Sequence, residues 1–273
     1  MLLNHCRSFH AGTTLIALVL LAGVTMWGAD APGGKNAAVN DLVTANHILA
    51  DKEVVDGYGH VSIRNPENPN QYLLARSMAP GLVTAADIMT FDLDSNPVGG
   101  DTRVSYAERF IHGEIYKARP DVKAIVHSHS PELIPFGDTG VELRPMYHMS
   151  LFMEDGVPIY EIADFRTPAD KNTMLVQSRP LGAALARVLG KSSALLMRGH
   201  GGVLVANDLP QVVGRSVYLQ INAKLQAQAM TFGRPIRFMA PGENVPAAVS
   251  SFSRNWEIWK LESERKRAQS GRP

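Results

Sequence analysis

Val126-His127-Ser128-His129 closes an apolar stretch, and two histidines one residue apart are suited to gripping a single ion. If the stretch is a strand, side chains alternate along it, so His127 and His129 point to the same side. Neutral imidazole is a common ligand for borderline metals, and three such nitrogens leave a coordination position open for substrate. Taken alone, His-x-His is equally well two polar residues at a strand end, so a third imidazole is needed. Arg198-Gly199-His200-Gly201-Gly202 offers one, because glycines let the backbone turn tightly and push His200 towards a ligand. Glu108 adds a carboxylate able to act as fourth ligand or as base.

The elements needed to position these residues are legible around them. Residues 105–119 read as a helix with Glu108, His112 and Tyr116 at steps of four, near one face. Residues 122–129 read as a buried strand, and 194–198 with 202–205 as two strands around a glycine turn. Further strands are expected at 59–64, 71–75 and 87–93, and a first helix, carrying His47, at 39–51. A long helix at 210–232 has Val213, Val217, Ile221 and Leu225 as its core stripe. A charged helix at 254–267 carries Trp256 and Trp259, read as a face that docks it on the domain. Residues 171–191 show no legible motif. Strands mixed with helices, without strict alternation, predict an α/β fold with one sheet covered by helices on both faces.

The 273-residue chain is 45% hydrophobic and 19% charged, an ordinary globular balance rather than a disordered or fibrous one. Lys+Arg is 27 against Asp+Glu 26, which gives no basic footprint for nucleic acid. The one cysteine, Cys6, excludes an intrachain disulfide framework and a Cys-ligated metal site. Residues 8–29 carry no Lys, Arg, Asp or Glu; Arg7 precedes the apolar run, and small residues follow at Ala29-Asp30-Ala31. These are the parts of a secretory signal peptide, with an uncleaved membrane anchor as the alternative. The expected organisation is a signal peptide at 1–31, a Gly/Ala/Asn-rich linker at 32–40, one domain at 41–267 and a polar tail at 268–273. The mature protein is expected to be secreted or periplasmic, with no nucleic-acid partner and no membrane partner after cleavage.

From about Leu42 to Phe232 the chain resembles the class II aldolase/adducin family, which includes metal-dependent fuculose-phosphate aldolase and ribulose-phosphate epimerase. The resemblance rests on Gly59-His-Val-Ser62, on Glu108 with His112 and Tyr116, on Arg119-Pro-Asp-Val-Lys-Ala-Ile-Val-His-Ser-His129, and on Arg198-Gly-His-Gly201 before a long helix. It implies a three-layer α/β/α domain with a mainly antiparallel central sheet. It also implies one divalent ion per subunit on His127, His129 and His200, zinc first and Mn, Co or Mg as alternatives. Glu108 then moves between ligand and general base, and the assembly is a homotetramer. His112, Tyr147 and His148 are implied as supporting positions, the last two in a region that reaches a neighbouring site in oligomeric relatives.

The departures from the family pattern bear on substrate. Sugar-phosphate members carry Asn in the first loop and Ser-Ser before the glutamate; here His60 and Tyr106-Ala107 stand instead. The family's Thr-Pro-x-Gly loop appears as Ala75-Arg76-Ser77-Met78-Ala79-Pro80-Gly81. Fewer neutral phosphate donors and an added Arg76 suggest a carboxylate, which a planar guanidinium grips in bidentate fashion. His60, Arg76 and Ser77 are therefore the expected substrate contacts, as in family members that decarboxylate hydroxylated aromatic acids. Arg109, beside Glu108, reads as an internal ion-pair partner. The expected function is a metal-dependent carbon–carbon lyase, an aldolase or decarboxylase acting on a non-phosphorylated hydroxy- or oxo-carboxylate through a metal-stabilised enolate. A metal hydrolase is the first alternative. The second is an adducin-like interaction module, against which the three retained histidines count.

Overall fold

The computed structural model describes residues 34–271. The segment read as a signal peptide, 1–31, lies outside the described residues, and no helix among those described is long and apolar enough to cross a membrane. In chain order the elements are α1 (Lys35–Asp51), β1 (His60–Arg64), β2 (Gln71–Ala75), β3 (Ile88–Asp92), α2 (Phe110–Ala118), β4 (Ala124–Ser128) and α3 (Ile134–Thr139). There follow β5 (Ile159–Tyr160), α4 (Arg179–Leu189), β6 (Ala194–Met197), β7 (Gly201–Ala206), α5 (Leu209–Met230), α6 (Ala247–Ser250) and α7 (Ser253–Ser270).

The strands form one sheet in the order β3-β2-β1-β4-β7-β6-β5. Its pairings are antiparallel except β5 with β6. The central strands β4 and β7 are buried along their whole length, which is why they read as near-continuous apolar runs. Alternation splits their side chains between two cores. Ala124, Val126, Leu204 and Ala206 join a core with α1, α5 and α7, while Ile125, Val203 and Val205 join a core with α2 and α4. His127, two residues beyond Ile125, therefore emerges on the α2–α4 side. The result is the expected α/β/α sandwich with a mainly antiparallel sheet.

Several boundaries differ from the sequence reading. The expected linker at 32–40 is partly helix, because α1 begins at Lys35 and already buries Ala38. Alanine is the strongest helix former, and the Ala37-Ala38 pair extends the amphipathic pattern by a turn. The expected tail at 268–273 is likewise shortened: α7 runs to Ser270 and stops at Gly271, a left-handed C-cap with φ 63°. That helix is held by buried Trp256 and Trp259, as expected, and by Ser263 Oγ donating to Asp51 Oδ2 at 2.6 Å. On α5 the stripe fails at Leu225, which is exposed. The buried face passes instead through Asn222 and Gln226, whose amides satisfy backbone groups of Glu142, Arg144 and Met146. The α4 helix in the stretch without a legible motif packs against α2 and closes the second core.

Candidate metal centre

β4 delivers His127, and His129 follows one residue past the strand end. The third histidine sits in the turn from β6 to β7. Gly199 there has φ 64° and Gly201 φ 147°, both in the left-handed half of conformational space that glycine favours. At Gly201 a Cβ would lie 2.1 Å from Ser128 O and 2.9 Å from His129 Cα, so only glycine lets the turn press against the end of β4. Gly199 N–H donates to Asp138 Oδ1 at 2.6 Å and pins the other side.

Glu108 arrives differently from expectation. The predicted single helix at 105–119 is broken: residues Ala107–Arg109 form a tight 3-10 turn in which Glu108 has φ −92° and ψ 17°, and α2 proper starts at Phe110. His112 and Tyr116 remain stacked one turn apart on α2, whereas Glu108 is turned out of that row towards the histidines.

The four side chains Glu108, His127, His129 and His200 each place a donor atom within 4.8 Å of the other three. His129 Nε2 is 3.1 Å from His127 Nε2 and 3.1 Å from His200 Nε2. Glu108 Oε2 is 3.4 Å from His127 Nε2 and 3.3 Å from His200 Nε2. Four ligands placed tetrahedrally at about 2.0–2.1 Å from a zinc ion lie about 3.3–3.4 Å apart, so this spacing is that of a coordination sphere.

The outer atoms decide the proton positions. His127 Nδ1 donates to Gly202 O at 3.2 Å, His129 Nδ1 to Asp56 Oδ1 at 3.1 Å, and His200 Nδ1 to Met174 O at 3.1 Å. Every Nδ1 partner is an oxygen acceptor, so each neutral ring carries its hydrogen on Nδ1 and turns a bare Nε2 lone pair inward. Val176 N–H donates to Glu108 Oε1 at 2.8 Å, which leaves Oε2 as the inward oxygen. Lone pairs this close repel unless a cation lies among them, and the donor set of three imidazoles and one carboxylate fits a borderline divalent ion.

Without an ion the same four groups would share protons instead. Burial would raise the Glu108 carboxyl, but the charges and hydrogen bonds of His127 and His200 outweigh it and hold it well below the usual carboxylate range. For His200 burial pulls downward, and the hydrogen bond and charge of Glu108 reverse the balance, leaving it above an ordinary imidazole. His129 is lowered, by burial first and then by His127.

The remaining sequence candidates divide. His60 belongs to no loop: it is the first residue of β1, paired in register with His127, and it is buried between the rings of Tyr106, His112 and His127. His112 is fully enclosed beneath it, in hydrogen-bond contact with His60 and Ser62. Arg76 donates through Nε to Asp87 Oδ1 at 2.7 Å, and its Nη groups have no hydrogen-bond partner among the described residues. Ser77 is used through its backbone N–H, which donates to Val104 O at 2.7 Å. Within the subunit Tyr147 and His148 have no contact with this cluster among the described residues. Their rings pack on each other and Tyr147 on Tyr218 of α5, a different part of the subunit. Arg109 donates to the carbonyls of Ser95 and Tyr106 rather than pairing with an acid. His47 is packed, its Nε2 donating to Val83 O at 2.7 Å. Sequence reasoning missed Asp56, although an acid in Asp56-Gly-Tyr-Gly59 just ahead of β1 is a turn signal, and its Oδ1 does accept from Tyr58 and Gly59 N–H.

Residues 40–227 match the family model described as Class II Aldolase and Adducin N-terminal domain. The decarboxylase tropJ of Talaromyces stipitatus is 34% identical over 249 residues, covering 83% of this chain and 94% of that protein. The 3,4-dihydroxyphthalate decarboxylase of Arthrobacter keyseri is 28% identical over 236 residues, covering 82% of this chain and 92% of its own. Among solved structures, L-fuculose 1-phosphate aldolase from Glaciozyma antarctica shares the fold, with a TM-score of 0.69 over 88% of this chain and 93% of that one at 22% identity.

Proposed function

The chain belongs to the class II aldolase and adducin family, and from that premise we propose that it is a metal-dependent carbon–carbon lyase that decarboxylates a hydroxylated, non-phosphorylated carboxylate. The observation that carries this reading is the inward convergence of three bare Nε2 atoms and one carboxylate oxygen. Decarboxylase relatives covered over most of their length give the direction of the chemistry.

A divalent ion, zinc in first place, would be held by His127, His129 and His200, with Glu108 as a fourth ligand that gives way to substrate, and would supply electrophilic stabilisation of negative charge on substrate oxygens. Loss of CO2 breaks the bond from carbon to the carboxyl group and leaves the electron pair on the organic fragment until that carbon takes a proton. Glu108 is the proton carrier: Val176 fixes Oε1, and Oε2, once released to substrate, takes the proton of a substrate hydroxyl and returns it to carbon, the product oxygen regaining its proton from water. Arg76, oriented by Asp87 through Nε, offers its two Nη groups to a planar carboxylate at the rim.

The support for a substrate without phosphate lies in Tyr106-Ala107. The Tyr106 hydroxyl is spent on Met78 O and its ring covers His60, while Ala107 has no side-chain donor, so neither restores the lost phosphate contacts. The complete ligand set weighs against an adducin-like module, and the decarboxylase relatives against a hydrolase. Export and a homotetramer are part of the same proposal, to be checked by N-terminal sequencing of the secreted protein and by light scattering. The function itself is tested by offering hydroxylated aromatic and aliphatic carboxylates beside sugar phosphates and measuring CO2 and aldehyde products. Release of CO2 from a hydroxy-acid supports the reading, and cleavage confined to sugar phosphates overturns it.

A further inference from the structure

A cavity of about 240 Å³, the room of several water molecules, lies between α5, the turn His148–Met153 and the arm that leads into α7. None of the four metal ligands lines it. α5 packs in the core shared with α1 and α7, whereas His127 emerges on the α2–α4 side of the sheet.

The apolar walls are Leu151, Phe152, Val249 and Phe252. Phe252 is fixed in place. It holds a left-handed φ of 56°, and its ring lies so close to Gly214 of α5 that a Cβ there would collide with it. The polar wall is the next residue, Arg215, with Gln211 one turn before it on the same face.

Arg215 is held but not neutralised. Nη1 donates to Val205 O at 2.5 Å, Nε is enclosed without a partner, and the guanidinium carbon lies 5.7 Å from the centre of the Phe152 ring. Among the described residues Nη2 is neither bonded nor enclosed, so in a residue that lines the cavity it opens there. Glu154 and Glu243 also line the cavity, but they accept from Gly242 and Ala240 N–H at 2.8 and 2.7 Å, and neither is among the charges that act on Arg215. Burial pulls the guanidinium down to about 10, opposed by Asp208 and reinforced by Arg119. Gln211 Oε1 accepts Asn207 N–H at 3.2 Å, which leaves its NH2 group as a second donor without a partner among the described residues.

We propose that this cavity is a second ligand site, for a small monocarboxylate with an aromatic or aliphatic body, held by Arg215 Nη2 and Gln211 Nε2. Two donors one turn apart match the two oxygens of a carboxylate, and the anion supplies the counter-charge that the half-buried guanidinium lacks. The uncharged body of the ligand lies against Phe152 and Phe252. The site stands whether or not the metal centre decarboxylates.

The test is calorimetric titration of benzoate, at up to millimolar concentration, into the zinc-loaded full chain, with benzamide as the uncharged counterpart. Both titrations are repeated on Arg215→Met and on Gln211→Leu, which leaves the guanidinium in place should Arg215→Met fail to fold. The expected result is a class of benzoate sites that prefers benzoate to benzamide by at least tenfold. Arg215→Met weakens it by tenfold or more and Gln211→Leu by threefold or more, with zinc content kept in both. No benzoate bound by the parent chain overturns the proposal, and so does equal binding of benzamide. Affinity unchanged in either variant places the benzoate elsewhere, at the metal centre for instance, and overturns it too. A fall in molecular mass in Arg215→Met by light scattering would instead make the cavity a contact with a second copy of the chain, which also overturns it.

Discussion

His129 and His200 face each other through Nε2 atoms 3.1 Å apart, and in the neutral rings neither nitrogen carries a hydrogen, because each has committed its N–H to an oxygen on the far side. Two lone pairs held that close are stable only around a positive charge. The sheet and the glycine turn thus spend folding energy on a constellation that makes sense as a cation site.

Asp56 orients His129 from the protein surface and is held ionised: burial raises its carboxyl, but Tyr58 and Gly59 N–H and His129 outweigh that and lower it. Asp56→Asn is expected to weaken zinc binding by about 10–100-fold, since outer partners set ligand orientation and basicity. The fold should persist. Competition with a chromogenic chelator reads the affinity, and unchanged affinity would show that His129 needs no such support.

Glu108→Gln is expected to lower kcat by about 10²–10⁴-fold, because an amide carries no transferable proton. Metal analysis of the same variant separates the roles of Glu108. Retained zinc marks Glu108 as the proton carrier, and loss equal to that of a histidine variant marks it as a structural ligand.

His200 sits above the ordinary imidazole value despite burial, through Glu108. In the metal-free protein the protonated ring contributes stability that is fully present below the unfolded value and is lost as pH rises through the raised folded value. Zinc needs the unprotonated ring, so the sign is opposite for binding: affinity should fall as pH drops through that raised value, by about tenfold per pH unit for one displaced proton. Calorimetric zinc titrations across the neutral to mildly acidic range, in buffers of differing ionisation enthalpy, count that proton. Affinity independent of pH would contradict the assignment of His200 as ligand.

Gly201→Ala places a Cβ 2.1 Å from Ser128 O at φ 147°. The change should destabilise the fold by about 3 kcal/mol or more and displace His129 and His200 together. Urea unfolding and zinc content are expected to fall in parallel; a stable, zinc-replete variant would mean the turn has slack that the structure does not show.

Much of this was readable in the residues, and the misses have physical causes. β2 matches its expected limits at Gln71–Ala75, and the convergence of His127, His129 and His200 follows from strand alternation and from glycines around His200. Local pattern carries that information. It does not carry the break at Glu108, which tertiary contact with Val176 and the histidines imposes on a stretch of good helical periodicity. Nor does it carry Met174 O and Gly202 O, backbone acceptors whose sequence distance from their imidazoles hides them. His60 stood in two readings, the strand expected at 59–64 and the substrate loop that the family resemblance implies, and its pairing with β4 bears out the strand. Leu225 was misplaced by a strict step of four, which drifts off the buried face of α5 as Asn222 and Gln226 take over.

The most direct measurement is CO2 release from hydroxylated aromatic carboxylates by the purified chain, with its metal content determined on the same sample and sugar phosphates assayed in parallel. The expected result is about one divalent ion per chain, turnover of the carboxylate that stops on chelation and returns with zinc, and loss of both ion and turnover in a His127, His129 and His200→Ala triple variant. Turnover that survives chelation, undiminished ion binding in the triple variant, or preferential cleavage of a sugar phosphate would contradict it.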